Sequence, residues 1–468
     1  MKIKGSVMPL PPELLQAVSS PGGGKIALVL GAGCSVEPPT NIPVSSVCST
    51  EIHRRLVADG ILQNGDCANP ADLSALADAV FNKRNSQRDV VERLRDQYGL
   101  KLATPNDGYW IAAALLCEGV ISSVVTLNYD LALSTALSEL GADKIVGVVE
   151  RPEDLIHQKA INLYYLHRNA NAADPELWVL RTAALNLEWQ GHWEPIIATK
   201  VLAAPVVIFA GLGTSVAVLV ESTKLLKAAL PTLTKLYLAD PGNMANSGFF
   251  QALALDASVY IQSGWGELME ALSKRLLEEQ IARLGQAATR KIQEDHLPNE
   301  DITGLLGALQ NMGIVRVGKI RAYWLLYEKP YRIFEENILG LIADLLLALA
   351  TISRISGAEA VIMEDGRVEF KRAGRTVTSF IVASGSGHRG KISVEAEVQK
   401  RRPKYSQTPA AALVGGTSAS WTTPPTPPKN IVEGEESLHD ILRGPTTLPL
   451  LHISELRDNH DLIQQVVP

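Results

Sequence analysis

The sequence predicts an α/β protein: a parallel, Rossmann-like sheet with a helical lobe inserted after its first strand, followed by a C-terminal α+β accessory region. Three observations predict it. Short apolar runs recur through residues 25–262 with helix-like stretches between several of them; the first run ends in two glycines one residue apart; and beyond about residue 265 the pattern changes to long amphipathic stretches. Apolar runs alternating with helical segments are what a parallel sheet covered on both faces requires.

Residues 1–24 form an N-terminal arm that carries lysines but no apolar segment of signal-peptide length. The strand Lys25-Ile26-Ala27-Leu28-Val29-Leu30 then opens onto Gly31-Ala32-Gly33-Cys34-Ser35. Further strands are predicted at residues 121–126, 144–149, 161–166, 205–210, 235–239 and 258–262. Between the first two, over about 44–119, apolar residues at three-four spacing (Leu73, Leu76, Val80; Val90, Val91, Leu94) predict the helical lobe. Residues 25–275 thus form one domain.

An accessory α+β domain follows at 276–400. Helices are predicted at 268–288, 302–312 and 331–352; the runs 360–363 and 367–370 flank the hairpin signal Glu364-Asp365-Gly366; and 376–382 and 392–398 add strands of a small antiparallel sheet. Residues 401–468 read as a Pro/Thr/Ser-rich linker and C-terminal arm with a short helix near its end.

Composition sets the outer limits. The chain has 468 residues, 46% of them hydrophobic, enough for two or three domains with a sizeable core. A net charge of −6 gives no basic field that would favour direct nucleic-acid binding. Cys34, Cys48, Cys67 and Cys117 form no CxxC pair, so neither a zinc knuckle nor a disulfide framework is indicated. The longest greasy run, 337–352, is interrupted by Asp344 and falls short of the roughly 20 residues a membrane span needs. These features point to a reducing, cytoplasmic setting with no membrane partner.

In open parallel sheets ligands sit beyond the carboxyl ends of the strands. The residues at those tips are Gly31 to Ser35, then Thr126-Leu127-Asn128-Tyr129-Asp130, then His167, then Gly211-Leu212-Gly213-Thr214-Ser215, then Asp240. Glycines let a backbone bend sharply and approach a ligand, and N–H groups at a helix start favour an anion. The usual dinucleotide fingerprint has a third glycine where this chain has Val36. Asn-x-Asp after a strand also serves as a turn or helix cap, and Asp240-Pro241-Gly242 is also a turn signal. Gly211 to Ser215 could equally be a plain turn, Cys34 reads as a small packed residue, and His192 rivals His167 as a functional histidine.

The ordered set resembles the sirtuin superfamily, whose pattern runs Gly-Ala-Gly-x-Ser, Ile-Pro, Thr-x-Asn-x-Asp, a histidine after a strand, and Gly-Thr-Ser. Here these are Gly31 to Ser35, Ile42-Pro43, Thr126 to Asp130, His167 and Gly213-Thr214-Ser215, and residues 105–115 resemble the helix before the second strand. The resemblance covers about residues 25–275. The chain departs from the pattern in lacking the four-cysteine zinc spacing, in Leu127 where glutamine usually precedes the asparagine, and in Arg168 where glycine usually follows the histidine. It is similar, in those departures, to the zinc-less branch of bacterial antiphage-defence NAD hydrolases.

The resemblance implies NAD+ as substrate, with no metal. Its implied binding residues are Gly31, Ala32, Gly33, Ser35, Pro43, Thr126, Asp130, Gly213, Thr214, Ser215 and Asp240, with Asp130 on the nicotinamide carboxamide. Breaking the nicotinamide–ribose bond builds positive charge on the ribose. Asn128 can orient the ribose hydroxyls or the attacking water, and the imidazole of His167 is a general base. With water as acceptor the products are ADP-ribose and nicotinamide. The expected biology is an NAD-depleting effector, restrained as a homo-oligomer or by a partner protein such as a defence ATPase or phage-derived trigger. The greasy helix at 339–349 is either a subunit-facing surface or a domain core. The alternatives are a protein deacylase or ADP-ribosyltransferase, and a non-catalytic NAD/ADP-ribose sensor.

Overall fold

A computed structural model describes residues 10–20, 24–189, 193–213, 217–229, 234–325, 336–385, 409–416 and 449–468. Two compact units divide the chain, Met1–Arg275 and Leu276–Pro468.

The first unit is built on seven strands: β1 (Ile26–Leu30), β2 (Ile121–Thr126), β3 (Val146–Val149), β4 (Ile161–Tyr165), β5 (Val206–Ala210), β6 (Lys235–Asp240) and β7 (Tyr260–Gln262). They pair in the order β3-β4-β2-β1-β5-β6-β7, every neighbour parallel. Successive side chains of a strand point to opposite faces, yet every residue of β1, β4 and β5 is buried, so both faces of the sheet are covered. Ala27, Val29, Val125, Tyr164, Val207 and Phe209 join one hydrophobic cluster with Ile197, Leu219 and Phe249 from the helices. The chain builds outward from β1 through β2 to β3 and β4, then returns to place β5 on the other side of β1. The topological switch point, where the carboxyl ends of neighbouring strands open a crevice, therefore lies at β1 and β5.

Helix α1 (Pro12–Ser19) precedes the sheet, and α2 (Ser45–Ala58), α3 (Leu73–Arg84), α4 (Arg88–Gln97) and α5 (Asp107–Cys117) fill the long connection from β1 to β2. Their ends are set locally. The Asp72 carboxylate accepts from the N–H groups of Ser74 and Ala75 to start α3, and Asn85 ends it with a left-handed φ of 52°. Asn106 starts α5 in the same way, accepting from the Tyr109 N–H. The later helices are α6 (Ala132–Glu139), α7 (Thr182–Trp189), α8 (Trp193–Leu202), α9 (Ala217–Ala229) and α10 (Gly248–Leu253), before α11 (Trp265–Glu294), which contains the boundary between the two units.

The second unit carries α12 (Thr303–Trp324) and α13 (Glu336–Ser356) with β8 (Glu359–Ile362), β9 (Val368–Arg372), β10 (Arg375–Ser384), β11 (Ala411–Gly415) and β12 (Leu450–His452). The sheet is mixed rather than antiparallel. The hairpin pairs β8-β9 and β9-β10 are antiparallel, whereas β10-β11 and β11-β12 are parallel. Residues 411–415 and 450–466, within the stretch the sequence presents as linker and arm, supply two of its strands and helices α14 (Ile453–Asp458) and α15 (His460–Val466). Their apolar runs are only three to five residues long, and the surrounding Pro, Thr and Ser mask them. The strand expected at 392–398 lies outside the described residues. In α13, Leu339, Leu345, Leu346 and Leu349 are buried within this unit, so this long apolar helix is a domain core. It packs on β10, β11, α14 and α15.

Candidate active site

Two glycine turns form the floor of the crevice. The Gly31 N–H donates to the Ala210 carbonyl and the Gly33 N–H to the Gly211 carbonyl, so the turn after β1 lies directly on the turn after β5. A Cβ on Gly31 would sit 2.5 Å from Leu212 Cδ2, one on Gly33 2.7 Å from Gly211 Cα, and one on Gly211 2.5 Å from the Cys34 nitrogen. Gly211 also has φ +70°, a conformation other residues adopt only with strain. The glycines are thus required by backbone meeting backbone. Cys34, fully buried beside this contact, has its thiol pushed well up by burial and then by the Glu37 charge, which makes it a packed residue and not a nucleophile.

The tip of β2 supplies a hydrogen-bond network. The Asn128 amide nitrogen donates to the Gly31 carbonyl at 3.0 Å, to the Tyr109 hydroxyl at 3.1 Å and to Ser35 Oγ at 3.3 Å. Ser35 donates to Asp130 Oδ2 at 2.8 Å and lies 2.8 Å from the Tyr109 hydroxyl. The other Asp130 oxygen caps α6 through the Ala132 N–H at 3.0 Å. Burial first of all raises the Asp130 carboxyl, against the hydrogen bonds from Ser35 and the backbone. Thr126 stands behind the cavity wall, its hydroxyl accepting from the Asn128 N–H at 3.1 Å.

His167 follows β4 and is 8% exposed. Burial, with the neighbouring Arg168 charge, lowers it to about 4, so the ring is neutral at physiological pH. It bonds to the Leu127 backbone, while Nε2 has no hydrogen-bond partner among the described residues. A neutral imidazole held through one nitrogen leaves the other with an open lone pair. Arg168 itself occupies φ +70°, the left-handed conformation that glycine adopts freely.

These tips share one cavity of about 950 Å³, in the range of ligand sites. Gly31, Ala32, Gly33, Ser35, Pro43, Asn128, Asp130, His167, Gly211 and Gly213 all line it. The helical lobe closes it with Ser45 and Ser46 at the start of α2 and Asp72 and Ser74 at the start of α3. Asp240 is not among the lining residues: β6 lies one strand beyond the crevice, and the Asp240 carboxylate accepts from the Gly242 N–H of its own turn at 2.6 Å. Thr214, Ser215 and His192 fall outside the described residues.

Three contributors were not read from the sequence. Tyr109 places a hydroxyl from α5 into the Ser35–Asn128 network, and its ring packs edge-on against Trp265 at 5.8 Å. Asn106 binds the Cys34 carbonyl at 2.8 Å. Glu37 accepts from the Gly266 N–H at the start of α11 through both oxygens, at 3.0 and 3.1 Å. The available signals were Asn106 three residues before a buried Tyr109, and a tyrosine hydroxyl that needs a partner inside an apolar helix.

No protein-family model matches the chain, and no curated protein does. Among solved structures, a Sir2 homologue–NAD complex is 14% identical over 58% of this chain and 96% of that chain, with a TM-score of 0.35. A Sir2 homologue–ADP ribose complex is 15% identical over 57% and 97%, with a TM-score of 0.34. A structure described as a Sir2-p53 peptide-NAD+ complex is 16% identical over 57% and 97%, at 0.33. These scores describe a distant likeness, from which nothing about this chain's chemistry follows.

Proposed function

We propose that the chain is an NAD+ hydrolase that releases nicotinamide and ADP-ribose. The observation that carries the reading is the meeting of Asn128, Asp130 and a neutral His167 with an unpartnered Nε2 on one cavity at the switch point of the sheet. The cavity has the size for a dinucleotide, and Gly31, Gly33, Gly211 and Gly213 line it.

In the proposed reaction the bond between ribose C1′ and the pyridinium nitrogen breaks, and its electron pair neutralises nicotinamide. Water adds to C1′, and His167 Nε2 takes the proton that water gives up. Both amide hydrogens of Asn128 are committed to protein groups, so its Oδ1 is what remains to accept from water or a ribose hydroxyl. Each Asp130 oxygen keeps a second lone pair, which suits the N–H groups of the nicotinamide carboxamide. The ordered motifs further support an NAD-depleting effector of antiphage defence, whose activity would be restrained by oligomerisation or by a partner protein.

Chromatography of NAD+ incubated with wild type, Asn128→Ala and His167→Ala tests this reading. Nicotinamide and ADP-ribose from the wild type alone is the expected result. Release only when an acyl-peptide is added would replace the hydrolase with a deacylase. Tight NAD+ binding with background release in all three proteins would make the chain a sensor.

A further inference from the structure

Tyr109 lies behind the cavity wall and touches no ligand space, yet its hydroxyl joins Asn128 to Ser35. Counting donors fixes the direction of the network. Ser35 has one hydroxyl hydrogen, and it goes to Asp130 Oδ2, so the Ser35–Tyr109 bond must be donated by Tyr109. Tyr109 then accepts from Asn128, whose nitrogen, not its oxygen, must face this way because the Gly31 carbonyl can only accept. The chain of donors runs Asn128 to Tyr109 to Ser35 to Asp130. It ends on the Asp130 carboxyl, and hydrogen bonds aligned in this way strengthen one another. With both Asn128 hydrogens held on the wall side, Oδ1 is turned away from it.

We propose that Tyr109 is a positioning residue: it links Asp130 to Asn128 and fixes the Asn128 amide with Oδ1 presented to the reacting water or ribose. The packing of the Tyr109 ring on Trp265 holds the hydroxyl in place, with no room for a side chain at Gly108, where a Cβ would lie 2.3 Å from the indole. This inference rests on the hydrolase reading, and its test separates the two.

Tyr109→Phe keeps the ring and removes only the hydroxyl. Steady-state nicotinamide release should show kcat lower by about tenfold to a hundredfold, the range for a buried group left without its hydrogen bond, with KM changed less than about twofold. In a Ser35→Ala background, which already cuts the link from Tyr109 to Asp130, the same substitution should cause less than its full loss, because both changes act through one network. A thermal melt of Tyr109→Phe near that of wild type shows that the fold is kept. A Tyr109→Phe rate within about twofold of wild type, or losses that multiply in the double variant, would overturn the proposal. A wild type that releases no nicotinamide would instead overturn the hydrolase reading and take the inference with it.

Discussion

His167 shows how one buried side chain ties stability to chemistry. Burial and Arg168 hold it near 4 against an ordinary 6.5, so the folded protein binds this proton less readily than the unfolded chain. Its stabilising contribution is fully present above about pH 6.5 and is lost as pH falls toward about 4. At about 1.4 kcal/mol per unit that is about 3 kcal/mol. Denaturant melts at pH 7 and pH 4.5 should therefore differ less in His167→Asn than in wild type. As the proposed base it stays deprotonated through mildly acidic pH, so the acid limb of the proposed nicotinamide release is expected below pH 6.5. Arg168→Gly removes the cation and should move that limb upward. Its stability should change little, since relief of left-handed strain at about 1 kcal/mol is offset by the added freedom of glycine in the unfolded chain.

At the scale of elements, the meeting of two turns decides which glycines matter. Gly211→Ala combines a left-handed φ with a Cβ 2.5 Å from the Cys34 nitrogen, and should cost about 2 kcal/mol or more in denaturant unfolding. At Gly213 a Cβ meets nothing within 4 Å among the described residues, so Gly213→Ala should stay within about 0.5 kcal/mol of wild type. The start of α11 is held by Glu37, which satisfies the Gly266 N–H from another part of the chain. Glu37→Ala removes this cap and should destabilise the protein by about 1 kcal/mol, read as a lower denaturation midpoint. The strand tips bearing Asn128, Asp130 and His167 were legible because each follows a clear apolar run. Tyr109 and Glu37 were not, since their partners lie 19 to 229 positions away.

At the scale of the whole molecule, the C-terminal unit is an organised domain whose core helix carries a buried acid that ties it to two other helices. Asp344 of α13 pairs with Lys291 at 2.8 Å and with Arg457 of α14 at 3.1 Å, all within that unit. Asp344→Ala leaves both cations without their shared partner. It should cost about 1–3 kcal/mol and expose residues 453–468 to limited proteolysis. The carboxylate that interrupts the apolar run in the sequence is thus an anchor for the chain's last helices.

The sequence by itself determined the parallel α/β sheet, its strand tips and the set of polar residues they carry, because strand periodicity and turn chemistry are local. Only the tertiary structure decided which tips meet. It joined β1, β2, β4 and β5 around one cavity and left Asp240 capping its own turn a strand away. It also showed that the glycine motif seats one backbone on another, and drew β11 and β12 into a sheet across a stretch whose composition reads as linker. These outcomes depend on pairings between residues far apart in the chain, and such pairings leave no periodic trace in the sequence.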